Sequence, residues 1–143
     1  MSLEESPNVN TCQYCIDNPK AHSFSCFQSS RDGYHMYKTV VAESILYNKP
    51  KTIIHHIEHD PYLCEELQWS WIVDLTNASR KHYMALNTVR ELSKWIKREK
   101  NNKCKQLKQI QMVGENSVLI EPLIFLAKMI LPSHIKIIRG RNN

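Results

Sequence analysis

Apolar residues recur along most of this chain at helical rather than strand spacing. After Asp32 and Gly33, the residues Tyr34, Tyr37, Val41 and Ile45, with Val40 beside them, share one helical face. They predict a first helix to about Tyr47, stopped by Asn48-Lys49-Pro50. Thr52 caps a short second helix through His59. Asp60-Pro61 then opens a third, Pro61 to Thr76, striped by Leu63, Leu67, Trp71, Ile72 and Leu75; the run Trp69 to Val73 reads equally as a buried strand. The clearest periodicity lies between Ser79 and Lys100, where Leu86, Val89, Leu92 and Ile96 face inward and Arg90, Lys94, Lys97 and Arg98 occupy the opposite arc. Cys104 to Val113 reads as helical again. Glu121-Pro122 starts a last helix through Leu131 that is apolar nearly all round, which marks a central core helix or an oligomer interface. Only Ile135-Lys136-Ile137 alternates like a short strand.

This pattern predicts a mainly α fold, a single small helical domain with an N-terminal zinc-stapled Cys/His loop. Residues 1–10 read as a flexible tail, 11–30 as the Cys/His loop, 31–134 as the helical domain and 135–143 as a basic C-terminal tail. At 143 residues and 42% hydrophobic, with three glycines and six prolines, the composition is that of a globular chain with a real core. The N-terminus is acidic without an apolar run, and no stretch of eighteen apolar residues predicts a membrane span. Five cysteines without an export signal point to a reducing, intracellular setting, nuclear or cytoplasmic.

Chemistry concentrates between Cys12 and Cys26. Cys12, Cys15, His22 and Cys26 form the pattern C-x2-C-x6-H-x3-C. Two thiolates two residues apart can share one ion, and a later His and Cys can complete the tetrahedron that Zn2+ favours. The pattern resembles the CCHC zinc knuckle of nucleic-acid-binding proteins, C-x2-C-x4-H-x4-C, over residues 12–26 alone. Here the spacer before the histidine is two residues longer and the one after it one shorter, and Asp17-Asn18-Pro19 stands where the knuckle carries glycine. Buried inert thiols and a disulfide or redox pair are the competing readings of the same cysteines. Tyr14, Phe24 and Phe27 lie among these residues, as a lid over the site or as platforms for unpaired bases.

A second cluster follows at His55, His56, His59 and Cys64. His55 and His59 are four apart and share a helix face, and Cys64 lies just past the Asp60-Pro61 turn. It reads as a second metal site of His55, His59 and Cys64, as a donor of one ligand to the first site, or as a polar helix end. His35 is a spare ligand.

Charge is distributed unevenly. The net +5 conceals a segment, residues 80–111, with ten basic groups against Glu91 and Glu99. Arg90, Lys94, Lys97, Arg98, Lys100, Lys103, Lys105 and Lys108 exceed what solubility requires and suit a phosphate backbone, with RNA or single strands favoured. A solvated helix face, an anionic membrane surface and an acidic protein partner are the other uses of such a stripe. No Gly-rich phosphate loop, G-x-S-x-G or H-E-x-x-H occurs, and no catalytic residues are assigned. The sequence thus predicts a non-enzymatic, zinc-binding regulatory protein that binds nucleic acid through a basic helix. The alternative is a zinc-stabilised interaction adaptor, or viral-type accessory factor, that docks a cellular or host protein through the apolar helix 121–131 or forms a homodimer.

Overall fold

In the computed structural model the mainly α expectation gives way to an α/β fold. The structure describes residues 3–5, 12–29, 35–60, 63, 68–98 and 106–140. Six strands form one mixed sheet in sequential order: β1 (Leu3–Glu5), β2 (Phe24–Ser29), β3 (His35–Val40), β4 (Trp69–Asp74), β5 (Leu107–Val113) and β6 (Lys136–Arg139). β2 runs antiparallel to both of its neighbours, β1 and β3, and β3 to β6 are mutually parallel. Each parallel step is crossed by helix: α2 (Pro50–Glu58) between β3 and β4, α3 (Arg80–Tyr83) and α4 (Leu86–Arg98) between β4 and β5, and α5 (Ser117–Ile130) between β5 and β6. Right-handed crossovers taken in one direction put these helices on one face of the sheet, and the contacts of α4 with both α2 and α5 agree. A short helix α1 (Gln13–Asp17) precedes β2 and packs on α2.

Register explains the core. Cys26, Tyr37, Trp71, Ile110 and Ile137 form one cross-strand row, and Phe24, Thr39, Val73, Met112 and Arg139 the next. Against this face the helices bury Ile53 and Ile57 from α2, Trp95 and Ile96 from α4, and Ile120, Leu123, Ile124 and Ala127 from α5. The Trp71 indole N–H donates to Thr39 Oγ1 at 2.8 Å, so the threonine hydroxyl of the second row is satisfied inside the core. Gly114, at the end of β5, leaves room for this packing: a Cβ there would lie 2.8 Å from Ile120 Cδ1.

The departures from the sequence reading have physical causes. The first expected helix is strand β3 plus a 3-10 turn, Val41–Glu43, because Tyr37 and Thr39 point to the core with period two and a β-branched run, Thr39-Val40-Val41, follows. Of the two readings of residues 69–73, the buried strand is the one present. Cys104 to Val113 is strand β5 from Leu107 onward, and a bulge imitates a helical period there. Trp69 pairs with Leu107 but Ser70 with Gln109, so Lys108 is an extra residue, and the inward-facing Leu107 and Ile110 fall three apart. The stretch assigned to a C-terminal tail supplies β6. The helices expected at 52–59, 79–100 and 121–131 appear as α2, α3 with α4, and α5. Among the described residues no helix is long and apolar enough to cross a membrane.

Candidate metal centre

Four side chains from two parts of the chain converge beneath α1. Cys12 occupies the N-cap of α1 and Cys15 lies three residues on, so one helical turn places both thiols on one side. Asn18 then reverses the chain: its side-chain oxygen accepts from the Lys20 N–H at 3.0 Å and its carbonyl from the Ala21 N–H at 2.9 Å. The reversed segment is fastened to residues 44–46. The Ser44 hydroxyl and the Leu46 N–H both donate to the Ala21 carbonyl, at 2.9 and 2.8 Å. His22 is thereby held under α1, and Ser23 leaves it in the left-handed region, φ 53°, before β2 begins. His56 comes from α2, whose buried Ile53 and Ile57 set the helix face that looks inward.

Cys12, Cys15, His22 and His56 are all buried, and one ligand atom from each lies within 4.8 Å of all the others. Cys15 Sγ is 3.4 Å from His22 Nδ1 and 3.3 Å from His56 Nδ1; Cys12 Sγ is 3.7 Å from His22 Nδ1, and the two Nδ1 atoms are 3.3 Å apart. Regular tetrahedral coordination by Zn2+, with Zn–S near 2.3 Å and Zn–N near 2.05 Å, requires N···N edges of about 3.3 Å and N···S edges of about 3.6 Å. The donor set, its burial and its spacing fit a zinc ion closed off by four protein ligands. The group can hold a metal ion.

The surroundings prepare each imidazole for that role. The Thr52 hydroxyl donates to the Lys49 carbonyl at 2.7 Å, which leaves its oxygen to accept from His22 Nε2 at 3.0 Å. The His22 proton therefore sits on Nε2 and its Nδ1 lone pair faces the thiols. Burial first, then the neighbouring His56 and His55, lowers the His22 pKa from 6.5 to about 4, so the ring is neutral at physiological pH. His56 turns its Nε2 toward Asp60 Oδ2 at 3.5 Å, and that same carboxylate oxygen accepts from the Tyr37 hydroxyl at 2.5 Å. Burial and the adjacent Asp60 carboxylate raise the Tyr37 pKa well above its usual value, so the phenol remains a donor. The arrangement is the carboxylate–histidine pair that orients many metal-binding imidazoles. Phe24 stacks on His56 with ring centroids 4.4 Å apart, and Tyr14 meets His22 edge-on at 6.0 Å. Both aromatics cover the site.

Three of the four residues expected to bind metal, Cys12, Cys15 and His22, stand in this group, and the fourth position belongs to His56. Cys26 is a correction: it lies on β2 opposite Tyr37, half-buried against the main core and outside the four-residue group. His55 and His59 of the expected second site lie side by side at the end of α2, with ring centroids 4.2 Å apart. His59 Nδ1 is 2.9 Å from the His55 carbonyl oxygen, the geometry of a helix-end hydrogen bond, and Cys64 lies outside the described residues. Of the histidine cluster, His56 stands with Cys12, Cys15 and His22 in the four-residue group. His35 sits on β3, away from it. Of the basic residues, Arg90, Lys94, Lys97 and Arg98 are exposed on α4; Lys94 approaches Glu91 at 3.9 Å. Lys108 is half-buried on β5, and Lys100, Lys103 and Lys105 lie outside the described residues. No protein-family model matches the chain, and no curated protein matches it in sequence.

Proposed function

We propose that the protein is a non-catalytic binding protein whose zinc is structural and whose basic α4 face takes the phosphate backbone of a nucleic acid, with RNA or single strands favoured. The observation supporting the structural role is the completeness of the donor set: four candidate ligands, all buried, would fill a zinc tetrahedron and leave no open position. Beyond the hydrogen bonds to residues 44–46 and Thr52, residues 12–22 have little apolar burial to hold them. Their own buried cluster is Cys12, Cys15 and Ala21 with Leu46 packed alongside, separate from the main core. So small a cluster cannot offset the conformational entropy of ordering the segment, and a metal bond to α2 can.

The nucleic-acid reading rests on the exposed arc of α4. Arg90, Lys94, Lys97 and Arg98 all face solvent while Trp95 and Ile96 are buried, so the cations are displayed by a helix whose orientation is fixed. Affinity for a single-stranded oligonucleotide should fall with salt, with a logarithmic slope of roughly −0.7 to −0.9 per phosphate neutralised. The double variant Lys94→Glu, Lys97→Glu leaves the buried face untouched. It should lower affinity about tenfold or more and flatten the slope by about one unit for each cation withdrawn from a phosphate, irrespective of sequence. Unchanged binding by the variant, or no wild-type binding at about 0.15 M salt, where charges are screened beyond about 8 Å, overturns this reading.

A second reading has its own observation. Between the sheet and the helices lies a partly open pocket of about 120 Å3, lined almost wholly by carbon from residues such as Ile53, Trp71, Val73, Leu92, Ile110 and Leu123. An apolar space of about 150 Å3 is large enough to take benzene. A small apolar molecule is the fitting guest. Benzene or indole at about 100 times its Kd should stabilise the protein by about 2.7 kcal/mol, read as a rise in Tm. Leu92→Trp, which fills the space, should abolish the rise; a rise that persists in that variant places the guest elsewhere.

A further inference from the structure

Helix α5 has two apolar faces. One is spent on the core through Ile120, Leu123, Ile124 and Ala127. The other runs diametrically opposite, through Val118, Pro122, Phe125 and Met129. Val118 is 81% exposed, and Phe125 and Met129 are each 67% exposed. Three large hydrophobics in line on one helix face, with proline between them, form a continuous stripe rather than the scattered exposure that any surface carries.

The geometry points to a second copy of this chain as the occupant, and we infer that α5 pairs antiparallel with α5 of that copy across a two-fold axis. The first argument is the spacing. The stripe positions are separated by four, three and four residues, so the pattern is its own reverse about a midpoint between Leu123 and Ile124. An antiparallel two-fold then sets Val118 against Met129 of the other copy and Pro122 against Phe125, twice over, with no residue of the stripe left facing a gap. Isologous contacts demand this self-complementarity, and an arbitrary apolar patch does not have it.

The second argument is charge. Glu121 and Lys128 flank the stripe on the same side, seven residues apart. A two-fold axis perpendicular to the helices keeps that side on the same side. It therefore brings Glu121 of one copy alongside Lys128 of the other, in two symmetric pairs; parallel pairing would instead carry the two charged flanks to opposite sides of the seam, where no such pairs form. The Glu121 side chain is 64% exposed, with one carboxylate oxygen 3.7 Å from Arg139 Nη1 of its own chain. One helix pair makes a small interface, so the dimer belongs to the micromolar class.

The test is sedimentation of the zinc-loaded full chain over about 1 to 200 μM, a range that brackets a micromolar Kd. A monomer–dimer equilibrium is expected. Phe125→Glu should shift it at least about tenfold toward monomer, because it places a charge at the centre of the stripe, while circular dichroism stays unchanged since Phe125 makes no part of the core. Lys128→Glu should also weaken the dimer, because each Glu121 then meets a second carboxylate in place of an ammonium group. The double swap Glu121→Lys, Lys128→Glu should restore it. Restoration is the reading that a contact with an unrelated surface cannot give. A monomer throughout the range, or a dimer indifferent to Phe125→Glu, overturns the inference, as does a double swap that remains as weak as the single one.

Discussion

His56→Ala should strip the purified protein of its zinc, whereas Cys26→Ser should leave one zinc bound per chain. The expectation follows from which atoms converge: His56 Nδ1 is 3.3 Å from both Cys15 Sγ and His22 Nδ1, while Cys26 is opposite Tyr37 on β2. Partners outside the ligand set of a metal site are worth roughly 10- to 100-fold in affinity, so removing a ligand should cost more than that. Competition against a chromophoric chelator measures the ratio, and metal analysis after chelator-free purification gives the stoichiometry. Because His56 also stacks on Phe24, loss of packing must be separated from loss of ligation. His56→Cys restores a soft donor without the ring, and should recover the zinc that His56→Ala cannot hold. The reverse outcome, with zinc retained by His56→Ala and lost from Cys26→Ser, would restore the sequence-local Cys12, Cys15, His22, Cys26 set and refute the site drawn from the fold.

That contrast shows what a linear pattern can carry. Cys12, Cys15 and His22 are legible because they act within one short segment, where spacing alone limits which side chains can meet. His56 is 34 residues beyond His22, and only the seating of α2 against the reversed loop joins them. A ligand supplied across elements leaves just the weak signal of an extra histidine cluster. The helices α2, α4 and α5 are legible for a similar local reason, since each carries its own period. Strands that run parallel under a layer of helices lose the simple in–out alternation, and β4 with buried Trp69, Ser70 and Trp71 in succession has none to read. In β5 the bulge at Lys108 shifts the phase midway, so a strand presents inward residues at helical spacing. At β2 two signals overlap: the spacing of a metal-binding loop runs on to Cys26, yet Cys26 pairs with Tyr37 in the β2–β3 ladder.

The same burial that readies His22 for a metal should make the protein sensitive to acid. In an unfolded chain its imidazole titrates near 6.5, and in the fold near 4, chiefly because burial disfavours the charged ring. Between these values the unfolded state holds a proton that the folded state lacks, so acidification favours unfolding. The contribution is fully present above about pH 6.5, declines as pH falls through the window, and is lost in full near pH 4. A bound zinc occupies Nδ1 and extends the lower limit further, but it leaves the upper limit unchanged, because that limit belongs to the unfolded chain. Urea denaturation at pH 7, 6 and 5 should therefore show stability falling by about 1.4 kcal/mol per pH unit below pH 6 for each proton taken up. The full cost over the window is on the order of 3 kcal/mol for this one group. The interval from pH 6 to 5 lies above the range where most carboxylates titrate, which keeps their contribution small. His22→Gln should flatten the profile in chelator-treated protein while lowering stability at pH 7 in zinc-loaded protein, since glutamine neither titrates nor supplies an imidazole. A wild-type profile that is level from pH 7 to 5 would mean that His22 is already charged or solvated in the fold, and a buried neutral ligand at that position would be ruled out.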